Sequence, residues 1–277
     1  MTGRPSITGA ARLAGIAGRP VSGSLSPVIQ NAWITAAGLD AVYAPFAPAD
    51  AAGFAALVAA GRAGLICGLN VTAPFKAQAF ALADMATDTV RTAGSANILV
   101  FRDGQADADS VDGLGLMRAL AEQAPALDVQ GRAVVILGAG GAARAAAAAL
   151  IEAGARVRIV NRSPERAEAL ARELGPSVAV PAEERAFDGA SLVINALSVP
   201  PEIDLARLDA DTVVMDMTYR PLETPFLAAA RARGLSIVDG LAMLIGQAGP
   251  SFEALFGQPP PDLDARGLLL GALEDQP

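Results

Sequence analysis

Ala133-Val-Val-Ile-Leu-Gly-Ala-Gly-Gly-Ala-Ala143 is the stretch that decides the fold of this chain. The apolar run from Ala133 to Leu137 has the length and β-branched content of a buried strand, and it leads straight into a glycine-rich turn. Beyond the turn, Ala142 to Ala153 reads as a helix stopped by Gly154, and Arg156 to Val160 as the next strand. This is one βαβ unit carrying G-x-G-x-x-A, with Gly138, Gly140 and Ala143 at the three fingerprint positions. The first glycine permits the tight turn, the second lets a pyrophosphate approach the backbone, and the small third residue lets helix and strand come close. Between a strand and a helix the triplet predicts a dinucleotide site, with Gly138, Ala139, Gly140, Gly141 and Ala142 as the contacts.

The end of the second strand selects the dinucleotide. A site for NAD carries an acidic residue there, about 20 residues past the glycines, to hold the ribose hydroxyls. Here the residues are Asn161-Arg162-Ser163, with Arg166 one turn into the next helix. An uncharged residue beside two guanidinium groups suits a 2′-phosphate, which arginine binds through forked, charge-assisted hydrogen bonds. The expected cofactor is NADP. The plainer reading makes Arg162 and Arg166 solvated residues at a helix start.

Working outward, strands are predicted at Leu192 to Asn195, Thr212 to Asp216 and Ser236 to Val238, with helices at Pro164 to Leu174 and Pro225 to Ala232. On the other side, strands at Leu13 to Ala17, Ala41 to Phe46 and Gly64 to Leu69 alternate with helices at Pro27 to Ala37, Ala51 to Ala60 and Phe75 to Ala83. Asn97 to Arg102 then turns at Asp103-Gly104 and returns to Ser110-Val-Asp112, followed by a helix at Gly113 to Ala121 and a linker at Ala124 to Arg132. The fold class is α/β in two domains. An N-terminal, mostly parallel substrate domain covers residues 1–112, and a doubly wound Rossmann-type domain covers 113–239. Helical stretches at Gly240 to Ala248, Pro250 to Phe256 and Ala265 to Leu273 have no strand to follow them, so residues 240–277 are expected to fold back and complete the first domain.

Composition narrows the partners. The formal charge of −8 argues against nucleic acid and anionic membrane surfaces, and the uncharged stretch from Pro20 to Leu39 is too rich in proline, serine and glycine to span a bilayer. The first residues, with Arg4, Pro5 and Arg12, lack the apolar core of a signal peptide. A single cysteine, Cys67, excludes a disulfide framework and reads as a core thiol, since the chain has no histidine to activate it. No metal site is expected. The reading is of a cytoplasmic protein, monomer or homodimer, acting on a small molecule.

Histidine being absent, a titratable base must be found elsewhere, and of the 21 basic residues Lys76 is the only lysine. It follows an apolar run and Asn70-Val-Thr-Ala-Pro-Phe75, where a strand gives way to a loop. In open α/β sheets the carboxyl ends of strands are where ligands bind.

With these motifs in order, the chain resembles the shikimate dehydrogenase family over nearly its whole length. Gly18-Arg-Pro-Val-Ser-Gly-Ser-Leu-Ser-Pro27 with Asn31 is similar to the family's amino-terminal substrate motif, Asn70 to Lys76 to its lysine motif, and Gly94-Ser-Ala-Asn97 to its asparagine motif. Ser110-Val-Asp-Gly-Leu-Gly115 falls where the family carries its catalytic aspartate, and the glycine loop, Asn161-Arg-Ser163, Asp216-Met-Thr-Tyr219 and Gly240 to Ala248 follow in order. The resemblance implies reversible reduction of 3-dehydroshikimate to shikimate with NADPH, a reaction of the chorismate route to aromatic amino acids. It implies Lys76 and Asp112 as the catalytic pair, Ser24 and Ser26 on the substrate carboxylate, and Asn70, Thr72, Asn97, Tyr219 and Gln247 around the ring. It adds Met217 and Gly240 to the cofactor contacts and places the active site between the domains. Hydride transfer to a ketone leaves a developing alkoxide, which a lysine can stabilise and protonate while a carboxylate orients it. Ser24 and Ser26 also stand where they would cap the helix from Pro27, and Asp112 where it would cap the helix from Gly113.

The chain departs from the family pattern at Gly23 and Gln30, where histidine is usual, at Ile98 for threonine, at Ser110-Val111 for Asn-Thr, and at Leu197 within Ala-Thr-Ser. Each loses a hydrogen-bonding option near the substrate motifs, which bears on discrimination among related polyols. Quinate or another shikimate-like acid is the alternative substrate, and a non-catalytic NADP(H)-binding regulator is the alternative of another class.

Overall fold

The computed structural model describes residues 7–182 and 185–274; Arg4, Pro5 and the outermost ends of the expected substrate domain lie outside the described residues. The chain divides into two compact units, Met1–Val111 with Gln247–Pro277, and Asp112–Gly246.

The first unit begins with β1 (Arg12–Ala17), α1 (Ser26–Ala36), β2 (Ala41–Phe46), α2 (Ala51–Arg62) and β3 (Gly68–Val71). It continues through α3 (Lys76–Ala81), β4 (Met85–Ala86), α4 (Asp88–Ala93), β5 (Ile98–Arg102) and β6 (Gln105–Asp109). Its sheet has the order β2-β1-β3-β5-β6-β4. β1 pairs in parallel with β2 and β3, whereas β5 is antiparallel to both β3 and β6. The antiparallel pair follows from Asp103-Gly104, which has positive φ at both residues (51° and 78°) and so makes the turn that matches strand twist. Phe54, Val58, Leu69, Phe75 and Leu99 lie in one core cluster, with the rings of Phe54 and Phe75 stacked at 4.9 Å.

One predicted strand is shifted. The stretch from Gly64 to Leu69 was expected to be extended from its first residue, yet β3 begins only at Gly68. α2 runs on to Arg62 and closes through Gly64 N–H to Gly61 and Leu65 N–H to Ala60, which consumes the start of the apolar run in a turn and leaves Leu65 69% exposed.

The second unit carries α5 (Asp112–Gln123), β7 (Ala133–Leu137), α6 (Gly141–Glu152), β8 (Arg156–Val160), α7 (Pro164–Leu174) and β9 (Val178–Ala179). β10 (Ala190–Asn195), β11 (Val213–Asp216), α8 (Pro225–Ala232), β12 (Ser236–Val238) and the start of α9 (Gly240–Phe256) complete it. The sheet is parallel throughout, in the order β12-β11-β10-β7-β8-β9. Read from β9, this is the doubly wound order, with the chain reversing direction between β7 and β10. Alternate residues of one strand serve opposite cores: Val134 and Ile136 pack with α5, α6 and α7 residues, Val135 and Leu137 with Phe187, Phe226 and Leu227. Both faces are therefore covered, as an all-parallel sheet requires.

α9 does not break at Pro250, where two helical stretches were expected. Proline cannot donate to the carbonyl four residues back, and that carbonyl, of Gly246, instead accepts a 3.0 Å bond from the Arg118 guanidinium. The C-terminal half of α9 and α10 (Ala265–Glu274) belong to the first unit. There the rings of Phe252 and Trp33 pack in a T shape with centroids 5.7 Å apart, and Arg12 donates to the carbonyls of Leu255 and Phe256.

Candidate active site

Strand directions bring the substrate motifs of the first unit to one end of its sheet. The loop after β1, the loop after β3, the entry to β5 and the exit from β6 must share that end, because β1 and β3 are parallel while β5 reverses β3 and β6 reverses β5. Ser24 and Ser26 stand on the first loop, Thr72 and Lys76 on the second, Asn97 at the third, and Val111 on the fourth. Asn70 is one residue from the end of β3.

These residues are joined by hydrogen bonds. Asn97 is buried; its Nδ2 donates to Gln247 Oε1 (3.0 Å) and its Oδ1 accepts the Val111 N–H (2.9 Å). Asn70 donates through Nδ2 to the Asn97 carbonyl (3.3 Å) and to Ser251 Oγ (2.9 Å), while its Oδ1 accepts the Tyr43 hydroxyl (2.8 Å). Tyr43 is buried beneath this group, and burial pushes its phenol well above the usual range, against a hydrogen bond from Ser26. Half-buried Lys76 is the first residue of α3, and its carbonyl accepts the Ala96 N–H (3.0 Å), which ties the lysine loop to the asparagine loop. Thr72 is held by its N–H on the Ala17 carbonyl and closes a turn with Phe75. Ser24 Oγ accepts the Ser26 N–H (3.2 Å), so it does part of the capping expected of it, whereas Leu25 at the N-cap makes no side-chain bond. Cys67 is a partly buried thiol raised by that burial, which disfavours the nucleophilic thiolate.

The structure thus brings Ser26, Asn70, Asn97 and Gln247 into one network. Sequence reading missed Tyr43 and Ser251 in it. The available signal for Tyr43 was a polar-tipped aromatic in a predicted buried strand, since a buried phenol needs a partner; Ser251 gave no signal, because its partner is distant in the chain.

Asp112, Tyr219 and the expected cofactor contacts lie in the second unit. Asp112 is buried as the first residue of α5. The loops after β7 and β10 meet at the reversal of strand order: Gly138 has φ 118°, and a Cβ there would lie 3.2 Å from Leu197 and 3.4 Å from Ala196. A Cβ on Gly140 would meet nothing within 4 Å, and Gly140 caps α6 without any side-chain bond. The start of α6 is therefore uncapped by any side chain and open beside Gly140, which fits a pyrophosphate. Past β8, Asn161 Nδ2 donates to the Ser163 carbonyl (3.0 Å), and Ser163 begins α7 without a side-chain cap. Arg162 and Arg166 are exposed, and their guanidinium groups make no hydrogen bond or ion pair with described residues. This donor set, with no carboxylate among it, fits a 2′-phosphate.

Buried Asp216 builds the loop that carries Tyr219. It accepts from Asn195 Nδ2 (3.1 Å), the Thr218 N–H (2.9 Å) and the Thr224 hydroxyl (2.7 Å). Met217 N–H bonds the Asn195 carbonyl, and the start of α9 comes so close that a Cβ on Gly240 would sit 2.5 Å from the Met217 carbonyl oxygen.

The profile of the shikimate dehydrogenase substrate binding domain matches residues 16–99, and that of shikimate / quinate 5-dehydrogenase matches residues 119–208. The shikimate dehydrogenase (NADP(+)) of Caulobacter vibrioides is 51% identical over 96% of this chain and 98% of its own length. The chain belongs to the shikimate dehydrogenase family. Among solved members of the shikimate dehydrogenase family, that of Aquifex aeolicus superposes with a TM-score of 0.87 at 34% identity, covering 95% of this chain and 99% of the other. The Thermus thermophilus enzyme, solved in complex with NADP(H) and shikimate, gives 0.83 at 32% identity with the same coverage. The first family match runs from β1 into β5, and the second from α5 to the segment after β10.

Proposed function

We propose that this protein catalyses the reversible, NADP-dependent interconversion of shikimate and 3-dehydroshikimate. The observation that carries the reading is the meeting, at one end of the first sheet, of the lysine and asparagine loops through Lys76 and Ala96, in a chain that keeps Lys76, Asn97 and Asp112 of the family pattern. In this reading Gly138 to Ala142, Asn161 to Ser163, Arg166, Met217 and Gly240 hold the dinucleotide, which when bound supplies or accepts the hydride. Lys76 Nζ hydrogen-bonds the ketone oxygen, stabilises the charge that grows there and gives it a proton, taking it back in the reverse direction. Asp112 orients the amine and a neighbouring ring hydroxyl; it follows directly on Val111, whose N–H is fixed by Asn97. Ser24 and Ser26 take the carboxylate, Thr72, Asn97, Tyr219 and Gln247 the ring. The acidic chain with one cysteine supports a cytoplasmic setting, and no helix among the described residues is long and apolar enough to cross a membrane.

The test is absorbance-monitored oxidation of shikimate and, separately, of quinate with NADP and with NAD. Rapid turnover of shikimate with NADP is expected. Turnover of quinate alone would move the substrate and keep the chemistry, and measurable NADPH binding with no turnover of either acid would overturn the reading in favour of a regulator.

A further inference from the structure

The Asn70 side chain is nearly saturated by the protein. Its Nδ2 has two protons, taken by the Asn97 carbonyl and Ser251 Oγ. A backbone carbonyl only accepts, so the amide nitrogen must face Asn97 and the amide oxygen must face Tyr43; the phenol must therefore donate. Only one lone pair on Asn70 Oδ1 is left for anything else. Asn97, by contrast, is the residue through which Gln247 and Val111 are held. Tyr43 and Ser251 are each 2% exposed, so neither is placed to meet a solvent-borne ligand.

We propose that Tyr43 is a positioning residue of the substrate site, acting with Ser251 through Asn70 to fix the backbone carbonyl of Asn97. Asn70 is then a brace rather than a substrate ligand, and the phenol hydroxyl sets its amide orientation. The strand bond from Val71 N–H to the same Asn97 carbonyl (2.8 Å) is the second support of that peptide. Burial raises the phenol well above its usual range, so the donated proton stays in place across working pH.

This inference rests on the proposed shikimate reaction, and its test separates the two. Tyr43→Phe keeps the ring and removes one donor. It should lower kcat/KM for shikimate about five- to tenfold and leave KM for NADP unchanged, because one net hydrogen bond is lost on the substrate side alone. Ser251→Ala should do the same to a smaller extent. In an Asn70→Ala background Tyr43→Phe should cost less than about twofold further. A loss confined to melting temperature, or an undiminished cost of Tyr43→Phe in the Asn70→Ala background, would overturn the proposal. Amide exchange gives a readout that needs no turnover: Val71 and Val111 N–H should exchange faster in Tyr43→Phe. Unchanged protection at both would sink the brace even if the wild-type enzyme turned over no shikimate, an outcome that would count separately against the functional reading.

Discussion

Removing Arg162 and Arg166 together should convert an NADP enzyme into one that barely distinguishes the two dinucleotides. Arg162 and Arg166 flank the start of α7, are exposed, and their guanidinium groups have no hydrogen bond or ion pair with described residues that would hold them elsewhere. A hydrogen bond to a charged group contributes about 1.5–3 kcal/mol when well sheltered. At exposed positions the lower end applies, about 1–1.5 kcal/mol for each guanidinium, or close to tenfold in affinity. Arg162→Ala should therefore raise KM for NADP about tenfold, and Arg162→Ala with Arg166→Ala about a hundredfold, while KM for NAD changes less than about twofold. Salt supplies an internal control, since exposed charges are screened over about 8 Å at physiological ionic strength. KM for NADP should climb with added salt in the wild type and climb less in each variant, with NAD flat throughout. The assay is initial-rate oxidation of shikimate at fixed, saturating acid across a range of each dinucleotide and of salt. Equal losses with NADP and NAD would refute the phosphate clamp and return both arginines to the role of solvated helix-start residues.

Lys76→Arg keeps a charge but cannot release its proton, so kcat should fall by about a hundredfold or more with KM for shikimate within a few-fold; single-turnover rates check this, and retained kcat would remove Lys76 from the chemistry. Asp216→Asn puts an amide against three donors, so it should cost about 2–3 kcal/mol in urea unfolding and loosen the Tyr219 loop, and a neutral result would show that the Thr224 hydroxyl reverses freely. The Asp84 carboxyl is held below the usual range by the Ala106 N–H and then by Arg62. A depressed carboxylate adds stability above its unfolded value of about 4 and loses it as pH falls through the folded one. Asp84→Asn should thus lower the melting temperature at neutral pH and leave it nearly unchanged near pH 2.5, and an equal drop at both would exclude the carboxylate's charge as the cause.

The dinucleotide-binding half was legible because its elements are punctuated. Gly138, Gly154, Pro164 and Pro225 mark turns or helix starts, and β7, β8, α7, α8 and β12 fall on the predicted residues. Where punctuation is weak the reading slipped. Gly64 to Leu69 looked like one strand because a helix-closing turn is also apolar here, and the two-residue strands β4 and β9 are too short to carry a period. Pro250 misled for another reason: the group that makes it tolerable, Arg118, is distant in sequence. The same distance hid Tyr43 and Ser251, whose role exists only once β2, β3 and α9 are placed together.

The departures from the family pattern take on a different meaning in the folded chain. Ile98 and Val111, which stand where the family carries threonines, are not separate losses of hydrogen bonding. With Val100 they form one buried cluster, at 0%, 7% and 9% exposure, closed by Ala254. Losing one member of a buried polar pair strands the other at a cost of about 1–3 kcal/mol, whereas replacing both by apolar groups of similar shape is nearly neutral. With both positions apolar, neither side chain brings a hydroxyl that needs a partner into this cluster, which lies directly beside the bond from Val111 N–H to Asn97 Oδ1. That bond uses a backbone donor, so it survives any side chain at position 111. Gln30 differs: its Nε2 is paired while its buried Oε1 has no hydrogen-bond partner among the described residues. It stands where histidine is usual, is 1% exposed, and spends its amide on the Ala248 carbonyl (3.0 Å), one residue from Gln247. Ile98, Val111 and Gln30 lie next to the network's hydrogen bonds, and the groups assigned to the substrate, Ser24, Ser26, Thr72, Lys76, Asn97, Asp112, Tyr219 and Gln247, are ones the chain has kept.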